Sequence, residues 1–190
     1  MEKSELTPFI RNNLDILFVG LNPAEGSNRN KHYFSVNQAF WNQLYYSGLI
    51  NSRVDKMTAD IYVFGSSQIN FKGWQYGITD LVTEIAESDS SKIKPTYSDC
   101  MRLRDTIREL NPKTVVLLHG VVLKKFLNFL GYDIPKANSG RLGKLIENSN
   151  SYFFNIAFPH GNAITSEEKV KRYMELKTEI EKVNNRLKSN

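Results

Sequence analysis

Polar and apolar positions along this chain follow two rhythms. Short, mostly unbroken apolar runs mark buried strands. Leu14–Val19 (LDILFV) is the first and ends at Gly20. Thr114–Leu118 is the second, and Tyr152–Ala157 (YFFNIA) is the third. Tyr76–Val82 reads as a short strand or a turn. Between these runs the apolar spacing lengthens to three and four residues, the helical period. Gln38–Ser47 carries Phe40, Trp41, Leu44 and Tyr45 at that spacing, and Gly48 stops it. Tyr97–Leu110 is an amphipathic helix that Asn111-Pro112 ends. Gly120 turns the chain into a helix over Val121–Leu130. The last helix starts at Ser166, with Thr165 or Ser166 as its cap and Glu168 in its first turn. Its stripe of Val170, Tyr173, Leu176, Ile180 and Val183 packs on a sheet, and the charges opposite form a solvated face. The segments from Asn22 to about Asn37, Ser88–Thr96 and Phe158–Thr165 are polar loops.

Strands alternating with helices predict an α/β fold: a three-layer α-β-α sandwich around a central, mostly parallel sheet. Its length of 190 residues predicts a single domain over residues 1–190. Such sheets bind ligands beyond the carboxyl ends of their strands. Two loops leave such ends with unusual residues, Gly20–Ser27 and Phe158–Thr165. A site is expected between them.

Composition narrows the picture only slightly. An apolar content of 41% builds a real core, and no apolar run is long enough to cross a bilayer. The residues MEKSELTPFIRNN lack the apolar centre of an export signal. Cys100 is the only cysteine, so no intrachain disulfide forms. These features predict a cytoplasmic protein without a membrane partner. The formal net charge of +5 is compatible with a polyanionic partner but does not demand one. Gly26 is not followed by Lys-Ser/Thr, so there is no phosphate loop; no G-x-G-x-x-G or G-x-S-x-G occurs either. His32, His119 and His160 are far apart, and no Cys/His spacing indicates a metal.

The stretch Val19–Ser27 reads VGLNPAEGS, and HYFSVNQAFWNQLYYSGLI follows from His32. Together they resemble the first signature of the mismatch-specific uracil/thymine-DNA glycosylases, a branch of the uracil-DNA glycosylase superfamily. That signature is a strand, G-I-N-P-G, a loop with an aromatic, and N-R-F-W opening a helix. The matching pieces are Gly20-Leu21-Asn22-Pro23-Ala24, then Phe34, then Gln38-Ala39-Phe40-Trp41. Gly77–Val82 is similar to the family's G-V/I-T-x-L-V segment, and Phe158–Ala163 (FPHGNA) stands where the family has N-P-S-G-L-S. The resemblance spans roughly residues 12 to 180.

The resemblance implies hydrolysis of the bond between a uracil, or a related deaminated or mismatched base, and its deoxyribose in DNA. The base must leave the duplex first. No cofactor, metal or obligate protein partner is implied. Asn22 becomes the group that places the water, because an amide oxygen accepts a hydrogen bond but does not take up a proton as a carboxylate does. Locally, Asn22-Pro23 also reads as a simple turn. Gly20, Leu21 and Pro23 complete the base-binding loop, and Phe34 matches the stacking aromatic, its local reading being a core residue. Pro159, Gly161, Asn162 and Ala163 stand in the segment that meets DNA. His160 would contact a phosphate, support charge on the departing base, or be an ordinary loop histidine. Three residues depart from the family: Phe158 replaces Asn, His160 replaces Ser, and Asn162 stands where an apolar wedge is expected. That departure motivates an alternative: a relative that keeps the fold but binds nucleic acid or acts on a small N-glycoside. Lys31, Lys72, Lys169, Lys171 and Arg172 are candidate phosphate contacts.

Overall fold

The computed structural model describes residues 1–188. Its strands are β1 (Glu2–Lys3), β2 (Ile16–Gly20), β3 (Tyr76–Asp80), β4 (Ile85–Ala86), β5 (Thr114–Leu117), β6 (Gly140–Gly143) and β7 (Tyr152–Asn155). Its α-helices are α1 (Glu25–Asn30), α2 (Ala39–Tyr46), α3 (Tyr97–Leu110), α4 (Gly120–Leu130) and α5 (Ser166–Lys188). Five strands form the central sheet in the order β3-β2-β5-β7-β6. The first four run parallel, and β6 pairs antiparallel to β7 at the edge.

The alternation within β2 explains the layers. Ile16 and Phe18 face one core, with Phe40, Trp41 and Leu44 of α2 and Tyr173, Leu176 and Ile180 of α5. Leu17 and Val19 face the other, with Leu103 and Ile107 of α3 and Val122, Leu123 and Phe126 of α4. Successive side chains point to opposite faces, so one strand feeds two cores. The result is the expected three-layer α/β sandwich.

Several elements differ from the expected pattern. A helix, α1, occupies part of the supposed Asn22–Asn37 loop, although its sequence EGSNRN is wholly polar. A π-helical turn spans Ile61–Ser66. The antiparallel edge β6 reads GRLG, with too few β-branched or aromatic residues to signal a strand. β1 pairs with β4 in a small second sheet. Of the two readings of Tyr76–Val82, the strand holds: Tyr76–Asp80 is a fully buried strand. Gly77 is needed there, because a Cβ would lie 2.5 Å from the Phe9 carbonyl oxygen.

Candidate functional site

The carboxyl ends of the parallel strands bring the site together. Gly20 ends β2 directly beside Asp80, the end of β3. The backbone ladder continues past both, with Leu81 N donating to Gly20 O and Val82 N donating to Leu21 O. Asn22 follows at once. Its Nδ2 donates to the carbonyl oxygens of Pro23 (2.9 Å) and Glu87 (2.8 Å). Both amide protons are thereby used, which fixes the rotation of the amide and leaves Oδ1 as an acceptor. Leu21 and Pro23 are buried, so they hold the loop from below and reach a ligand only through backbone. Gly20 has a steric reason: a Cβ would lie 2.2 Å from Asp80 Oδ1.

Phe34 lies on the neighbouring segment. Its φ of +52° is a strained backbone for a bulky residue. The strain is held by its surroundings. Trp41 Nε1 donates to the Phe34 carbonyl, and the buried Asp60 carboxylate accepts from Tyr33 N and faces His32 Nδ1 at 2.9 Å. One face of the Phe34 ring stacks on Phe40, with centroids 4.1 Å apart. Phe158, from the loop after β7, stands 6.3 Å from Phe34.

Phe158 is the meeting point of two histidines. His119 approaches it edge-on at 5.5 Å, and His160 at 5.1 Å. His32 stays apart on Asp60. His119 caps α4, its Nδ1 accepting from Val121 N at 3.1 Å. Burial lowers the His119 pKa. Burial and the Lys169 charge lower that of His160. Both shifts favour the neutral ring.

The Phe158–Thr165 loop is tied from within. Asn162 Nδ2 donates to the carbonyls of Phe158 and His160, and its Oδ1 accepts from Ile164 N. The Asn162 side chain thus folds the loop. Gly161 takes a positive φ of 72° that suits glycine. Pro159 is buried, and its carbonyl accepts from Gln43 Nε2 and Lys169 Nζ. His160, Gly161, Asn162 and Ala163 form the exposed rim. Thr165 and Glu168 make a reciprocal capping box that starts α5.

The five basic candidates scatter. Lys72 precedes β3 at the opposite end of the sheet and pairs with Glu181. Lys31 pairs with Glu5, and Arg172 with Glu175. Lys169 is buried under the loop. Lys171 is exposed on α5 beside the rim.

Two residues of the site escape a reading of the chain alone, Asp80 and His119. Asp80 is buried, with Oδ2 lacking a hydrogen-bond partner among the described residues. Burial raises its pKa to about 7, against the opposing pull of Tyr33 and Arg102. Among the described residues, no three His, Cys, Asp or Glu side chains group as a metal site. No helix there is long and apolar enough to cross a membrane.

The family described as the uracil DNA glycosylase superfamily matches residues 7–188, nearly the whole chain. No curated protein matches the chain.

Proposed function

The chain belongs to the uracil-DNA glycosylase superfamily, and from that premise we propose that it hydrolyses the N-glycosidic bond of uracil, or a related deaminated or mismatched base, in DNA. We place it nearest the mismatch-specific uracil/thymine branch, on the strength of the Gly20–Ala24 loop and the Phe34 and Phe40-Trp41 residues after it. The observation that carries the reading is the locked amide of Asn22, with both protons committed to backbone and Oδ1 left to accept.

In this mechanism the damaged base leaves the stack and lies against Phe34. The C1′–N bond breaks with its electron pair going to the base, through an oxocarbenium-like transition state. A water held on Asn22 Oδ1 adds its oxygen to C1′. Its proton passes through solvent, and the base leaves neutral. Asn22 orients this water without deprotonating it, so turnover is slow. The rim of His160, Gly161, Asn162 and Ala163, with buried Pro159 behind it, faces the DNA, and His160 stands where it supports the phosphate or the base.

A second reading has its own support. Asn162 stands where an apolar wedge is expected, and its side chain is bound inside its own loop. That favours single strands, or a relative that binds nucleic acid or acts on a small N-glycoside. Base release separates these readings. Oligonucleotides carrying one uracil, hypoxanthine, xanthine or mismatched thymine are incubated as single strands and duplexes, then treated with alkali. The expected result is abasic-site cleavage by the wild type and a loss of about 10²-fold in Asn22→Ala. Binding without cleavage supports the nucleic-acid binder, and release from a free nucleoside supports the small-molecule enzyme.

A further inference from the structure

We propose that His119 is a further catalytic residue, its Nε2–H donating a hydrogen bond to a ring oxygen of the departing base; this rests on the glycosylase reading above. His119 lies two residues beyond the end of β5, the strand between β2 and β7. The ladder runs on past these ends, with Leu118 N donating to Val19 O and Ile156 N donating to Leu117 O. His119 therefore sits between the loop of Asn22 and the loop of Phe158. Its ring stands edge-on to Phe158 at 5.5 Å, on the wall that Phe34 also borders.

The cap at α4 decides which nitrogen carries the proton. Because Nδ1 accepts from Val121 N, the neutral ring must hold its hydrogen on Nε2. That Nε2–H makes no hydrogen bond among the described residues. A helix start thus locks a neutral donor in place before any base arrives. His160 differs: it is exposed on the rim, and no hydrogen bond of its ring fixes a tautomer among the described residues.

A fixed donor matters where charge develops. As the C1′–N bond breaks, negative charge spreads to the ring oxygens of the base, and a donor aimed there strengthens as the bond lengthens. His119 keeps its proton throughout. The geometry assigns the site to bases that present an oxygen there, such as uracil.

The test separates this role from simple capping. Serine caps helices well and alanine does not. Single-turnover release is measured for wild type, His119→Ser and His119→Ala, on single strands carrying uracil or 5-fluorouracil. Fluorine itself stabilises the leaving anion, so it replaces part of what the donor does. The expected result is a loss of roughly 10²-fold on uracil in both variants and a clearly smaller loss on 5-fluorouracil. The thermal midpoint should fall in His119→Ala only. Rates in His119→Ser equal to wild type, or equal losses on both bases, overturn the proposal. A folded wild type that releases neither base overturns the glycosylase reading and this proposal with it.

Discussion

At the scale of single residues, the site depends on a few locked groups. Asn22 is oriented by two donated hydrogen bonds, and Phe34 by a strained backbone held on Asp60 and Trp41. Asp80 carries an energetic cost. Its pKa rises from 3.8 in the unfolded chain to about 7 in the fold. The native state therefore binds a proton that the unfolded state releases, so stability declines as pH rises through that window and levels off above it. Asp80→Asn removes the penalty. Its unfolding free energy should exceed that of wild type near pH 8 and converge with it near pH 4, with a gap on the order of 2–4 kcal/mol at the upper end. Calorimetry across pH checks this; a gap independent of pH would exclude the titration of Asp80. Asn22 and Phe34 were legible because a motif surrounds them. Asp80 and His119 were not. Each gains its role from a neighbour in another strand or helix, and a linear pattern carries no such register. The positive φ of Phe34 was equally invisible, since the residue type argues against it.

At the scale of elements, the chain announced its buried parts and hid its edges. β2, β5 and β7 are apolar runs, and α2, α3, α4 and α5 carry helical stripes, so burial wrote itself into the pattern. β6 has few side chains that favour a strand, and α1 has no apolar stripe, so neither left a signal. α5 links an element to the site. Its first turn is fixed by the Thr165–Glu168 capping box, and Lys169 anchors the preceding loop through Pro159 O. Thr165→Ala should cost about 1 kcal/mol of stability. It should also loosen the rim, raising KM for DNA more than it lowers kcat. Steady-state kinetics with one uracil oligonucleotide measure the split.

At the scale of the molecule, a net charge of +5 overstates the hold on DNA. Lys31, Lys72 and Arg172 are in ion pairs, and Lys169 is buried. Of the five candidates, Lys171 is left exposed beside the rim. Each phosphate contact contributes a slope of about −0.7 to −0.9 when log affinity is plotted against log salt. The expected slope is shallow, between about −1 and −3, and Lys171→Ala should reduce it by about one. Fluorescence anisotropy over a salt series measures it, and a slope steeper than about −5 would require a larger footprint than the rim offers. The small sheet of β1 and β4 bears on handling of the protein. Residues 2 and 3 pair with residues 85 and 86, immediately before Glu87, whose carbonyl holds the Asn22 amide. A purification tag or fusion partner ahead of Met1 would pull on the clip that braces the Asn22 amide. α5 instead carries the chain away from the site, towards Lys72, so an affinity handle belongs after it.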